Sequence, residues 1–261
     1  SIINHTKQII MNEYVKVSSK NGIAEIEFFH SQSNSLPSSL LSKLADTIKS
    51  VGNDKNSNVI ILKSGGDRTF CAGASFDELI SIKNKDDGKR FFMGFANVIN
   101  ACRQCPKFIV GRVQGKAVGG GVGMLAATDY CFATKFSSVK LSELAIGIGP
   151  FVVGPAVERK IGTSSYSEMT INAEKWFSSD WALKKGLCTE VFENNELMDS
   201  EIKLFTQRIS SYNPEAMKRL KKIFWKDTDH WDKLLQQRAE DSGILVLSDF
   251  TRNAINNFKN K

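Results

Sequence analysis

Residues Phe108–Thr134, FIVGRVQGKAVGGGVGMLAATDYCFAT, hold the pattern from which the fold is read. Phe108–Val113 is a short apolar run with strand character that ends at Gly115. The turn Gly119–Gly123 (GGGVG) then opens a helix of small residues, Val122–Thr128, and Tyr130–Ala133 is strand again. The same order occurs about fifty residues earlier. Val59–Leu62 (VIIL) reads as a buried strand, Gly65-Gly66 follows, and FCAGA at Phe70–Ala74 leads into a helix over Phe76–Ile82. Strand–turn–helix units of this kind predict an α/β core with neighbouring parallel strands. Each turn aims backbone N–H groups and the positive end of a helix at whatever lies ahead of it. Were the two turns to converge, they would offer a pair of fixed donors to an oxygen that gains negative charge.

Working outward, residues 23–29 (IAEIEFF) alternate Ala24, Ile26 and Phe28 with Glu25 and Glu27, a half-buried strand paired with Tyr14–Val17 through Asn21-Gly22. Leu40, Leu41, Leu44, Ile48 and Val51 follow helical spacing after Pro37, which is read as part of the first helical turn. A further helix is expected from about Lys89 to Arg103. Beyond residue 150 helical spacings dominate, over 155–161, 164–172, 178–186, 196–211, 214–225 and 230–247, with a strand at Cys188–Phe192. The expected organisation is a leader or appended remnant over 1–10, with Met11 as the start; a core over 11–194; and a C-terminal helical region over 195–261.

Composition narrows the function classes. Apolar content of 41% and charged content of 24% are those of an ordinary globular chain, and no apolar stretch reaches transmembrane length. Five scattered cysteines without an export signal suggest reduced thiols and a cytoplasmic setting. Cys102 and Cys105 form a lone CxxC with no second pair, and three scattered histidines build no cluster, so no metal is expected. The net charge of +7 suits an anionic ligand; the lysines are dispersed and no aromatic-rich basic motif accompanies them, so neither nucleic acid nor a membrane is expected as a partner.

The glycine turns do not fit nucleotide loops. A GxGxxG starting at Gly119 meets Met124 where the third glycine belongs, and Gly115-Lys116 lacks the P-loop residues at Val110 and Ala117. Between Tyr130–Ala133 and Pro150 lies Leu141-Ser142-Glu143-Leu144, an acid flanked by apolar residues. Partial desolvation there would raise its pKa and suit it to proton transfer near neutral pH.

Taken together, these segments resemble the crotonase (enoyl-CoA hydratase/isomerase) superfamily. The likeness runs from about Tyr14 through SNSLP (Ser33–Pro37), FCAGASFDEL (Phe70–Leu79), Val113–Thr134, LSELAIGIGP (Leu141–Pro150) and WALKKGLCTEVF (Trp181–Phe192). The resemblance implies a ββα-spiral core, a C-terminal helical region used for trimers or hexamers, and acyl-CoA thioester substrates, with CoA carried by the substrate and no separate cofactor. It implies that Ala74 and Gly120 supply the oxyanion-hole amides, that Ala72 contacts CoA through its backbone, and that Glu143 is the second catalytic glutamate. The first catalytic glutamate is replaced by Gly123, and Ser75 replaces the aspartate usual after the oxyanion alanine.

One glutamate leaves two reactions open. Glu143 either activates water for addition to a 2-enoyl-CoA or shuttles a proton in double-bond isomerisation. A third expectation is that space at Gly123 admits a bulkier or polar acyl group, which would make Gly123 a substrate-binding residue. This glycine, with a SELxxGIxP-like stretch after it, is also similar to bacterial hydratases of branched, carboxylated enoyl-CoAs of the 3-methylglutaconyl-CoA type, in leucine or fatty acid catabolism, and tips the expectation to hydration. Other readings are a thioester hydrolase or decarboxylase, with Cys71 the nearby thiol, and a non-catalytic acyl-CoA binder. Asp77, Glu78, Asp129 and Glu158 are weighed as a second acid and as helix-face or capping charges.

Overall fold

The computed structural model describes residues 12–261, and the expectations for residues 1–10 and for Met11 lie outside them. In chain order the first half comprises β1 (Glu13–Lys20), β2 (Ile23–His30), β3 (Ser35–Leu36), α1 (Ser38–Gly52), β4 (Val59–Ser64), β5 (Thr69–Cys71), β6 (Gly73–Ala74), α2 (Phe76–Ser81) and α3 (Lys85–Gln104). Then follow β7 (Phe108–Val113), β8 (Lys116–Val118), α4 (Gly120–Ala126), β9 (Tyr130–Thr134), β10 (Ser138–Lys140) and a single 3-10 turn, Glu143–Ile146. The remainder is α5 (Gly154–Ile171), β11 (Phe177–Ser178), α6 (Ser179–Lys185), β12 (Glu190–Phe192), α7 (Asn195–Ser210), α8 (Pro214–Phe224), α9 (Trp231–Leu245) and α10 (Asp249–Lys259).

The larger sheet has the order β1-β2-β4-β7-β9-β12. β1 and β2 are an antiparallel hairpin through Asn21-Gly22; every later neighbour is parallel. The alternation in β2 behaves as read, with Ala24, Ile26 and Phe28 fully buried, whereas β4 is buried along nearly its whole length because helices cover both faces. The smaller sheet, β11-β10-β8-β5, runs parallel across β5, β8 and β10. Its strand carboxyl ends therefore share one edge. FCAGA follows from β5, GGGVG from β8, and Glu143 from β10.

Pro37 caps α1 with extended backbone instead of entering its first turn. The two helical spacings over 155–161 and 164–172 meet at Gly162, whose φ of 77° breaks α5. α10 has no counterpart in the periodicity reading. Its start is marked by Ser248, whose hydroxyl accepts the amide of Thr251 at 3.2 Å.

The helical region is fastened to the core by a buried ion pair. Lys221 of α8 sits 3.0 Å from Asp129, and their side chains are 3% and 7% exposed. Asp129 also accepts the amide of Ile109 and the indole N–H of Trp225, each at 2.8 Å, while Lys221 donates to the Lys107 carbonyl at 2.8 Å. With hydrogen bonds to both partners from the surrounding chain, this pair tolerates burial, and removing one partner would strand the other charge. Lys221→Met should therefore lower unfolding free energy by about 3–5 kcal/mol in a urea titration, and Asp129→Asn in the same chain should recover part of the loss.

Candidate active site

The two glycine turns converge. A Cβ placed on Gly73 would lie 3.0 Å from the Val118 carbonyl oxygen and 3.8 Å from the Gly120 amide nitrogen. One placed on Gly121 would lie 2.5 Å from the carbonyl oxygen of Cys71 and 2.9 Å from its Cβ, so the backbones touch with no room for a side chain. Gly73 (φ 97°) and Gly119 (φ 54°) each hold a left-handed backbone that a residue with a Cβ adopts only at a cost. Gly120 is the first residue of α4, where helical geometry leaves amides unpaired. Ala74 stands beside it at the end of β6, which is parallel to β3 through Leu36↔Ala74. The ring of Phe95, from α3, lies against Gly120.

The SNSLP segment anchors the first turn. Asn34, almost fully buried, donates to the carbonyls of Gly65 (2.8 Å) and Thr69 (2.9 Å), and the Ala72 amide donates to the Ser33 carbonyl at 3.2 Å. Ser75 acts as the N-cap of α2, accepting the Glu78 amide. A short hydroxyl thus does the local work of the aspartate expected there.

Glu143 reaches the same place from the far side of β8. A Cβ on Gly119 would lie 2.8 Å from Glu143 Oε1, and the Gly119 amide donates to the Lys140 carbonyl at 2.9 Å. The residue as a whole is half-buried, yet its Oε2 is sealed from solvent and has no hydrogen-bond partner among the described residues. Burial pushes the carboxyl up to about 7, and the backbone amides of Glu143 and Ser142 pull weakly the other way. A carboxyl poised at that value is suited to give and take protons near neutrality.

Gly123 lies one helical turn beyond Gly119 and Gly120 and does not face open space. A Cβ there would meet Val153 Cγ1 at 2.5 Å, Val153 Cβ at 2.7 Å and Ile99 Cδ1 at 3.3 Å. The expectation of extra acyl room at this glycine is thus corrected: Val153, 5% exposed, fills the volume a side chain would take. Val153 and Phe95 belong to apolar runs, which carry no chemical signal in the sequence. Of the other acids, Asp77 lies in the first turn of α2 and the remaining three have structural partners. Glu78 accepts the Ser38 amide (3.0 Å) and hydroxyl (2.6 Å), Asp129 is held as above, and Glu158 accepts Thr163 Oγ1 at 3.0 Å. Cys71 is fully buried and its thiol is pushed up to about 12 by desolvation, which disfavours a thiolate. Cys102 and Cys105 are buried at the packed end of α3.

Spiral α/β topology with paired oxyanion-type turns and a nearby carboxyl defines a crotonase-like protein. The family model for enoyl-CoA hydratase/isomerase matches residues 18–256, and the chain belongs to that family. Among curated relatives, it is 25% identical over 219 residues to a peroxisomal Delta(3,5)-Delta(2,4)-dienoyl-CoA isomerase of Arabidopsis thaliana, covering 77% of each chain. It is 28% identical over 186 residues to a short-chain-enoyl-CoA hydratase of Clostridium acetobutylicum, covering 71% of this chain and 70% of that one. The fold superposes on a crystal structure of enoyl-CoA hydratase from Bacillus halodurans with a TM-score of 0.86 at 22% identity, covering 94% of this chain and 99% of the other. Among the described residues no helix is long and apolar enough to cross a membrane.

Two outcomes follow from this geometry. Gly121→Ala should force the turns apart and lower kcat/KM for enoyl-CoA turnover by about a hundredfold or more, the scale of losing one oxyanion donor. Glu143 is raised in the folded chain, so its contribution to stability is full below about pH 4.5 and is lost as pH rises through about 7. Glu143→Gln should leave Tm nearly unchanged at pH 4.5 and raise it at pH 8. The gain is at most about 3 kcal/mol, or a few degrees in a thermal melt.

Proposed function

We propose that this chain isomerises the double bond of an enoyl-CoA. The amides of Ala74 and Gly120 hold the thioester oxygen, Glu143 removes a proton from the α-carbon, and the dienolate so formed takes the same proton back at the γ-carbon. Charge that develops on the oxygen meets donors already in place, so little reorganisation accompanies the step. The backbone of Ala72, next to these amides, is proposed as a CoA contact.

The observation that carries this reading is the apolar filling at Gly123. An ordered water needs two to four polar partners. Glu143 Oε2 offers one, but the wall where a second acid would stand is Val153 and Ile99. A proton shuttle needs no bound water, and one carboxyl serves both ends of it. Similarity to the Arabidopsis dienoyl-CoA isomerase supports the same class of step.

Hydration of a 2-enoyl-CoA, including branched or carboxylated ones of the 3-methylglutaconyl-CoA type, is the second reading. It is favoured by the unmet hydrogen-bonding capacity of Glu143 Oε2 among the described residues and by similarity to the Clostridium hydratase. Assembly into trimers or hexamers is also proposed, since Leu204, Leu220, Ile223 and Phe224 of α7 and α8 are exposed apolar side chains.

The test supplies 3-hexenoyl-CoA, crotonyl-CoA and 3-methylglutaconyl-CoA in parallel. Isomerisation predicts growth of 2-enoyl absorbance from the first and no loss from the other two. The reverse pattern would transfer the assignment to hydration, and CoA binding with no turnover of any would mark a binder. For the isomerase, kcat/KM should fall as pH drops below about 7, where Glu143 takes up its proton. Glu143→Gln should reduce kcat by about 10³-fold and abolish that limb.

A further inference from the structure

The smaller sheet has a second face that the site does not use. Ala117, Val139 and Phe177 point into the core, so the alternate residues Lys116, Lys140 and Trp176 point outward from neighbouring strands or their ends. The ammonium groups of Lys116 and Lys140 lie 4.9 and 4.4 Å from the centroid of the same Trp176 ring. The indole is 38% exposed.

Some lysines of this chain meet carboxylates, as in Lys63–Glu25, Lys89–Glu240, Lys135–Glu193 and Lys184–Asp180. Lys116 and Lys140 form no ion pair and no side-chain hydrogen bond with any described residue. Two like charges gathered at one aromatic ring repel each other, and a multiply charged anion bound by both would offset that repulsion. Lysine ammonium groups suit phosphate, and an exposed indole face suits a planar base once the ammonium groups have turned to the phosphate.

We propose that Lys116, Lys140 and Trp176 form a binding site for a nucleoside diphosphate, with the phosphates held by both ammonium groups and the base stacked on the indole. The site is independent of the reaction assigned above. It shares a strand with it, because the Lys140 carbonyl receives the Gly119 amide at 2.9 Å.

Trp176 is the most exposed of the four tryptophans, so its fluorescence reports the site. Titration of the full chain with ADP at low salt, with Trp176→Phe as the blank, should give saturable quenching that inorganic phosphate competes away. In the double variant Lys116→Gln/Lys140→Gln, checked for an unchanged thermal melt, the affinity should drop about tenfold or more, as expected for losing two charge-assisted hydrogen bonds. The proposal is overturned by quenching that does not saturate, by ADP binding that the double variant leaves unchanged, which would place the nucleotide elsewhere, or by adenosine binding as tightly as ADP.

Discussion

Everything at the site depends on a contact between two stretches of main chain. The Cys71 carbonyl and the first turn of α4 approach so closely that position 121 has room only for hydrogen. That contact is available because β5 and β8 are parallel neighbours whose carboxyl ends lie at one edge, paired through Cys71↔Ala117. β10 adds the third segment on the other side of β8, and Glu143 follows three residues after its end. Small residues at both turns are thus a packing requirement first. The exposed amides are its chemical consequence, since a backbone with no side chains in the way can present N–H groups to a ligand oxygen.

The sequence disclosed those features whose physics is local. Alternation in β2, the continuous apolar run of β4 and the strand–glycine–helix order at GGGVG rest on periodicity and turn chemistry, and the structure follows them closely. Glu143 was visible as an acid between apolar neighbours, and burial does raise its pKa. The missing acid at Gly123 could also be seen, because an absent side chain is a sequence fact. What replaces it could not. Val153 and Ile99 reach Gly123 from α5's cap and from α3, thirty residues downstream and more than twenty upstream, and nothing in an apolar run says which cavity it will fill.

Two further elements were hidden for related reasons. α10 is short and mostly polar, and its place comes from tertiary contact: Thr251 is fully buried, and a Cβ on Gly147 would lie 2.6 Å from its hydroxyl oxygen. The chain's last helix is thereby packed on the turn that bears Glu143. Asn34 reads as an ordinary loop residue in SNSLP, yet its amide ties β3 to both ends of the β4–β5 connection. Both residues gain their meaning from segments far away in the chain.

Glu143 shows how a local environment sets acidity. Sealing a carboxyl oxygen without a partner costs stability whenever the group is ionised, and that same cost brings its pKa into the range where proton exchange is fast in both directions. A second carboxyl across the cleft would change both terms. It would raise the first pKa further by like-charge repulsion and would supply a partner for water. With Val153 in that volume, neither happens. Glu143 carries its raised pKa from burial, with no second charge beside it among the described residues. The substitution at position 123 is therefore coherent with the packing around it: the glycine and the valine that covers it act as one unit, and neither could be changed to an acid without moving the other.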